Sequence, residues 1–372
     1  MRIESLTATA FRNLTAVDLQ VSAPVVVLEG ANGQGKTNIL EALYLCATGR
    51  SFRHATAREM LRHDAVAGRC SAYLLRQGVR HEVTASLTPM HRQMRVDGRG
   101  LKQVTQLLEL VNMVAFFPDD LRIAKGSPEE RRRFLDRAVA NSRPEFVGAT
   151  LAYHRALKSR NVLLKGASPP DRALLGVYDE QLVRFGRVMH GCRTAVLEEL
   201  MPVARGHFAA MMPGVSLEVR LKSGVPEAEA AWEAAFAAAL SGGYPRDRAR
   251  GMTSSGPHRA DLQFLVCGQD ARAYASQGQQ RSLVLALKLA EVVCLTARLG
   301  SPPILLLDDV SSELDPERSR RLFEVVRHVD SQVWVSTTGA VPLPITAPVQ
   351  VFRVQDGAVA GASDRGRYGG SV

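Results

Sequence analysis

Val25-Val26-Val27-Leu28 is a short, β-branched, wholly apolar run, and Gly30-Ala31-Asn32-Gly33-Gln34-Gly35-Lys36-Thr37 follows almost at once. A run of that length without alternation suits a parallel strand buried on both faces. The octapeptide satisfies G-x-x-x-x-G-K-[ST], the P-loop pattern, and Ile39, Leu40, Leu43 and Leu45 then carry an apolar helix away from it. Strand, loop and helix therefore stand in the order that a phosphate cradle requires. Glycines let the backbone curl so that successive N–H groups face the β- and γ-phosphates, and the helix start adds partial positive charge. Lys36 is expected to bridge phosphate oxygens, and the Thr37 hydroxyl to ligand Mg²⁺. Gly30, Ala31, Asn32, Gly33, Gln34, Gly35, Lys36, Thr37 and the adjoining Asn38 are the expected nucleotide contacts.

A second element lies far downstream, where Ile304-Leu305-Leu306-Leu307 delivers Asp308-Asp309 to its C-terminal end, the edge at which ligands bind in such sheets. Paired with a P-loop this reads as a Walker B strand: Asp308 holding Mg²⁺ through water, Asp309 polarising an attacking water as general base. Ser276-Gln277-Gly278-Gln279-Gln280-Arg281 precedes the apolar helix Leu283 to Leu299 and resembles the ABC signature. Ser276, Gly278 and Gln279 match, while Gln277 replaces the usual first glycine. A small hydroxyl and a glycine at a helix start make a second phosphate-binding end, so two copies can share ATP, each signature completing the other's P-loop. Ser311-Ser312-Glu313-Leu314-Asp315 matches the D-loop of the same superfamily, with Pro316 opening the next helix. At the end of the strand Gln332 to Thr338 no histidine occupies the switch position, which leaves Thr337 or Thr338 to serve there.

Outward from these motifs, Val17, Leu19 and Val21 alternate with polar residues as in a strand with one wet face. Ala72 to Gly98 alternates too, with a turn at Asp97-Gly98, and predicts an antiparallel subsheet. Ser127-Pro128-Glu129-Glu130 is a helix start with a capping box, and most of the chain from there to Leu240 favours helix, including an amphipathic stripe at Trp232, Phe236 and Leu240. The expected fold is α/β: an ABC-type P-loop ATPase head, mixed sheet with antiparallel subsheet, plus an inserted mostly helical lobe. Its expected boundaries are 1–115 and 250–356 for the ATPase lobe, 116–249 for the helical lobe and 357–372 for a flexible Gly- and Ser-rich tail.

The composition, 46% hydrophobic and 23% charged, is that of a globular protein. No run approaches the roughly 18 apolar residues of a membrane span, and the start has no signal-peptide pattern, so a cytoplasmic protein without a membrane partner is expected. Five scattered cysteines, none in a C-x-x-C pair, argue against a disulfide framework or a zinc site. Lys and Arg number 47 against 37 Asp and Glu, and the formal charge of +10 suits a polyanion. Within the helical lobe Arg131, Arg132, Arg133, Lys158 and Arg160 are the candidate phosphate contacts.

Several segments together resemble the RecF family, bacterial recombination mediators with an SMC-like ATPase head. They are Phe11-Arg12-Asn13-Leu14, the P-loop through Glu41-Ala42, Gly49-Arg50-Ser51-Phe52-Arg53, Phe117-Pro118-Asp119-Asp120-Leu121, Lys125 to Pro128, Glu130 to Asp136, Gly256-Pro257-His258-Arg259 and the Ser276 to Arg281 signature. The resemblance runs nearly end to end. It implies ATP-driven homodimerisation on duplex, gapped or junction DNA and slow, DNA-stimulated ATP hydrolysis. It also implies cooperation with RecR, and through it RecO, in loading RecA. By the same resemblance Arg12 touches the nucleotide, and His258 and Arg259 lie near it or pack a turn. Ala260 departs from the family pattern, which has an aspartate there, and no Q-loop glutamine is evident near Pro118-Asp119. Two other classes fit less well. A transporter's nucleotide-binding subunit places its signature much nearer the P-loop than the 238 residues between Thr37 and Ser276, and an SMC clamp needs long heptad arms. An ATP-gated DNA-binding switch with negligible turnover remains open.

Overall fold

The computed structural model describes residues 1–365 apart from 102, 104, 227–230, 310–314, 340–344 and 346. The chain divides into two compact units, one of Met1–Asp120 and the chain from Glu291 onward, the other Leu121–Ala290.

The first unit holds two six-stranded sheets. One is antiparallel, built from β1 (Arg2–Phe11), β2 (Leu14–Gln20), β4 (Gly68–Arg76), β5 (Val79–Leu87), β6 (Arg92–Val96) and β7 (Arg99–Gly100) in the order β2-β1-β4-β5-β6-β7. The other joins β3 (Val25–Glu29), β8 (Met113–Phe116), β12 (Ile304–Leu307), β13 (Val333–Thr337), β14 (Val349–Gln355) and β15 (Ala358–Arg365) in the order β15-β14-β3-β13-β12-β8. All its pairs are parallel except β14 with β15. The apolar runs of β3 and β12 are buried throughout, as parallel strands covered on both faces must be. Helix α1 (Lys36–Thr48) is apolar nearly all round because it shares one core with both sheets: Ile39, Leu40, Leu43 and Leu45 pack with Leu6 and Phe11 of β1 and with Val26, Leu306 and Trp334 of the parallel sheet. A buried amide ties the two sheets at the starts of β1 and β13, both interior strands. The Ile3 N–H donates to Gln332 Oε1 at 2.7 Å, and Gln332 Nε2 donates to the Ile3 carbonyl at 2.9 Å. Short helices α2 (Ala57–Met60) and α3 (Thr105–Leu110) complete the N-terminal part.

The second unit carries α4 (Arg122–Lys125), α5 (Pro128–Ser142), α6 (Pro144–Lys165), the 40-residue α7 (Arg172–Met211), α8 (Trp232–Gly242), α9 (Tyr244–Arg250) and α10 (Ala271–Tyr274). Helix α11 (Gln277–Leu299) begins here. The capping box forms as expected: Ser127 Oγ accepts from the Glu130 N–H, and Glu130 Oε2 accepts from the Ser127 N–H at 2.6 Å. Trp232, Phe236 and Leu240 are the buried stripe of α8.

Two expected boundaries are corrected. Residues 250–290 were expected in the ATPase lobe but belong to the second unit, because β10 (Asp261–Val266) pairs along its whole length with β9 (Leu217–Lys222), and β11 (Gln269–Asp270) adds to the other side. The region expected to be a loose tail includes β15, which gains an antiparallel ladder on β14 despite its mostly small side chains. Backbone pairing, which composition does not report, holds it.

Buried arginines organise the second unit. Arg160 is fully buried, its Nε on Asp179 at 2.6 Å and its Nη1 on Asp247 and Thr253 Oγ1, each at 2.9 Å. Arg131 forks onto Asp261 at 2.7 and 2.9 Å, and Arg193 onto Asp136 at 2.8 and 3.0 Å. His258 lies between Tyr153 Oη at 2.7 Å and the Thr253 carbonyl at 3.1 Å. Burial, with Arg259 and His154 nearby, pushes its pKa down to about 4.

Replacing Arg160 with alanine strands two carboxylates, Asp179 and Asp247, and is expected to cost about 3–5 kcal/mol in urea unfolding; a loss below 1 kcal/mol would show that the network is not structural. For His258 the unfolded chain binds the proton between pH 6.5 and 4 while the folded chain does not. Stability is therefore complete above pH 6.5 and falls as the pH drops towards 4, by roughly 3 kcal/mol. His258→Gln is expected to flatten that part of the stability profile relative to the wild type.

Candidate nucleotide-binding site

The P-loop is closed on its own lysine. Gly35 caps α1 at φ 113°, a conformation that side chains rarely adopt. A Cβ at Gly30 would stand 2.3 Å from the Val354 carbonyl oxygen of β14, so only glycine passes there. Lys36 Nζ donates to the carbonyls of Gly30 and Ala31 at 2.7 and 2.8 Å. Burial lowers its pKa, opposed by Asp309 and Asp308. The loop is braced from outside: Asn13 Nδ2 donates to the Gly33 carbonyl at 3.2 Å, Asn38 Nδ2 to Asn13 Oδ1 at 2.7 Å, and the Asp356 N–H to Gln34 Oε1 at 2.6 Å.

Because β3, β12 and β13 are parallel and in register, their C-terminal ends share one sheet edge. Asp308 emerges there, and its Oδ1 accepts from the Thr37 hydroxyl at 2.8 Å and from the Ser336 hydroxyl at 2.6 Å. Ser336 Oγ in turn accepts the Asp309 N–H at 2.9 Å. Burial raises the Asp308 pKa, with Ser336, Thr37 and Arg53 opposing. Asp309 itself sits at φ 51°, an uncommon conformation for a non-glycine residue and one that clusters at functional sites. Asn32 through Asn38, Arg53, Asp309 and Ser336 line a cleft of about 180 Å³.

The geometry sorts the expected residues. The P-loop residues from Asn32 to Asn38, with Asp309, line the cleft, and Gly30, Ala31 and Asp308 bond directly to those that do. Arg12 is not among the lining residues. Its guanidinium is engaged by Glu41 at 2.7 and 2.9 Å and by the Glu59 carbonyl at 2.8 Å. At the switch position the cleft is lined by Ser336, and neither Thr337 nor Thr338 is among the lining residues. Strand alternation alone distinguishes Ser336 from Thr337, and the register was not evident before the pairing with β3 was known. Arg53 also went unassigned, although it stands in one of the segments that carry the resemblance. Of the D-loop, 311–314 lie outside the described residues; Asp315 caps α12 (Pro316–Val329) by accepting the Arg318 N–H at 3.0 Å.

The signature is a capping box at the start of α11. Ser276 Oγ accepts the Gln279 N–H at 3.2 Å, and Gln279 Oε1 accepts the Ser276 N–H at 2.8 Å. Ser276 and Gln277 are exposed. Two candidate DNA contacts are withdrawn. Arg131 and Arg160 are buried in the ion pairs described above, and a guanidinium so enclosed cannot reach a duplex phosphate. Arg132 is half-buried and donates to the Ala260 carbonyl at 2.7 Å, whereas Arg133, paired with Glu129, and Lys158 are exposed.

The family model for the RecF/RecN/SMC N terminal domain matches residues 2–358. The chain is 42% identical over 347 residues, 91% of each partner, to the DNA replication and repair protein RecF of Myxococcus xanthus (strain DK1622). This chain belongs to the RecF family. To the RecF of Geobacter sulfurreducens (strain ATCC 51573 / DSM 12127 / PCA) it is 38% identical, covering 91% of this chain and 93% of that one. Two solved structures of the recombination mediator protein RecF in the RecFOR pathway superpose closely. The one with ATPrS gives a TM-score of 0.87 at 29% identity over 96% of this chain and 97% of the other, and the one with ATP gives 0.88 at 27% over 98% and 97%. An Smc head gives 0.57 at 16% identity over 98% of each chain, a likeness of fold. The expected α/β ATPase head thus stands, in a family of ABC-type ATPases that acts in DNA replication and recombinational repair. Among the described residues no helix is long and apolar enough to cross a membrane.

Ser336→Ala removes one donor to Asp308 and the acceptor of the Asp309 N–H. Steady-state phosphate release is expected to fall about tenfold, the equivalent of ~1.4 kcal/mol, with ATP affinity measured without divalent cation changed less than twofold. Wild-type turnover would show that the hydroxyl does not hold the acidic pair in place.

Proposed function

We propose that this protein is an ATP-dependent DNA-binding mediator in which two copies close around two ATP molecules, the P-loop of each capped by Ser276 and Gly278 of the other. The reading is carried by one observation. Lys36 and the Thr37–Asp308 pair hold a cradle already shaped for phosphates, while the Ser276 helix start is exposed and its hydroxyl retains a proton to donate. Solved RecF relatives with ATP and ATPrS support the nucleotide.

Thr37 Oγ1 and Asp308 Oδ1 are hard oxygen donors 2.8 Å apart, a set that suits Mg²⁺. When bound there the ion would neutralise charge on the β- and γ-phosphate oxygens. Lys36 binds the same oxygens, Arg53 adds a cation at the cleft, and Asp309 takes the proton of the attacking water. Asp309 is one carbon shorter than a glutamate, and its backbone is pinned at Ser336; slow turnover follows, and with it the second reading, a switch in which ATP governs assembly alone. DNA is held by phosphate contacts, for which the exposed Arg133 and Lys158 remain candidates, with stimulation of hydrolysis by DNA. Membership of the family supports contact with RecR, and through it RecO and RecA, as part of the same reading.

Light scattering with ATP is expected to give a dimer for the wild type and for Asp309→Asn, and a monomer for Lys36→Ala and Ser276→Arg. Normal dimers from both of the latter would end the shared-nucleotide reading. Phosphate release with and without duplex DNA separates the two turnover readings: none from a wild type that binds ATP would leave the switch.

A further inference from the structure

The buried Glu41 on the second turn of α1 accepts four hydrogen bonds on two oxygens. Arg12 forks onto it through Nη2 to Oε1 at 2.7 Å and Nε to Oε2 at 2.9 Å. The Ser51 hydroxyl donates to Oε1 at 2.5 Å, and Arg53 Nη1 reaches Oε2 at 3.2 Å. The two arginines are held very differently. Arg12 is fixed at both ends, its backbone N–H on the Met60 carbonyl at 2.8 Å and its Nη1 on the Glu59 carbonyl at 2.8 Å. Arg53 gives a single nitrogen, shared between Glu41 and Asn38 Oδ1 at 2.8 Å, and leans towards the Phe52 ring. Its side chain is 40% exposed and lines the cleft. Its Nε and Nη2 have no protein partner among the described residues.

The charge count gives this asymmetry a direction. Within this cluster one carboxylate stands between two guanidiniums, and Arg53, the loosely held partner, lines the cleft with Lys36, Asn38 and Asp309 and acts on the charge of Asp308. An anchor meant only for stability would use both forks equally, because a bidentate pair is the stronger arrangement. Here Arg53 lines the cleft and leaves Nε and Nη2 without a protein partner among the described residues.

We propose that Glu41 is a positioning residue for the nucleotide: anchored by Arg12 and Ser51, it holds Arg53 by one nitrogen so that the other edge of that guanidinium meets a phosphate oxygen. The inference rests on the nucleotide reading above. Arg53 is the group that touches ATP, and Glu41 acts through it.

A double-mutant cycle on ATP affinity and phosphate release tests the inference, using wild type, Glu41→Gln, Arg53→Ala and the double variant, with thermal midpoints recorded in parallel. In the wild-type background Arg53→Ala is expected to weaken ATP binding about tenfold. In the Glu41→Gln background it is expected to cost less than about threefold, since an unaimed guanidinium has little left to lose. A purely structural Glu41 would lower the midpoint and leave the two effects additive, and additivity overturns the proposal. Should Glu41→Gln not fold, the same cycle on Glu41→Asp, whose carboxylate is drawn back by one methylene, is read in the same way. Lys36→Ala serves as the control. Unchanged ATP binding by that variant removes the nucleotide reading itself, whereas lost binding with an additive cycle removes only the role of Glu41.

Discussion

One carboxylate oxygen, Asp308 Oδ1, accepts hydrogen bonds from hydroxyls on two other segments, Thr37 at the start of α1 and Ser336 near the end of β13. A buried carboxylate is costly to ionise, and the upward pull on its pKa is the sign of that cost. Two hydroxyl donors offset part of it, and a divalent cation would offset more. The parallel sheet exists to bring these three chain ends to one edge: Val27, Leu307 and Val335 share a rung, so that the residues beyond them meet. A single antiparallel strand in the centre would have sent one of the three groups to the opposite edge, 15 Å or so away for a strand of five residues.

The elements that were legible in the sequence are those in which local chemistry and long-range structure demand the same residues. The P-loop needs its glycines for backbone shape wherever it occurs, and Gly30 and Gly35 bear that out at named contacts. Likewise Ser127 and Glu130 cap one another across three residues and need nothing else. What was hidden depends on partners far along the chain. Arg131 meets Asp261 across 130 residues, and Arg160 meets Asp247 across 87. In a one-dimensional reading each is an exposed cation. Ser336 and Thr337 differ only by strand parity, and β15 is held by a ladder that its own side chains do not announce. The division between the units was misplaced for the same reason, since the β9–β10 pairing joins segments on both sides of the expected border.

Burial of these arginines changes what the positive charge means. The three enclosed guanidiniums of the second unit face four aspartates, Asp261, Asp179, Asp247 and Asp136, so their burial uses up none of the formal excess of +10. The excess is therefore carried by residues that remain at the surface. Sequence proximity of cations, as in Arg131-Arg132-Arg133, is a poor guide to where they lie: three consecutive helical positions point in three directions, and in α5 they are buried, half-buried and exposed in turn. A surface that tracks a duplex has to be assembled from separated segments, each contributing one face.

The signature helix shows how a site can be both finished and incomplete. Its first turn leaves backbone N–H groups without partners from a preceding turn, as any α-helix does. Ser276 and Gln279 satisfy two donors between them, and the capping box makes the helix start stable without a ligand. The serine hydroxyl nevertheless acts only as an acceptor in that box, and its hydrogen stays available to a phosphate oxygen without breaking the cap. Gln277 in place of a glycine leaves the helix start intact, because the first helical position contributes its N–H whatever its side chain. A helix end built in this way can bind and release a phosphate without folding or unfolding. Closure and opening of a dimer on it would then be governed by the nucleotide, and by how firmly Asp308 and its two hydroxyls hold the other side.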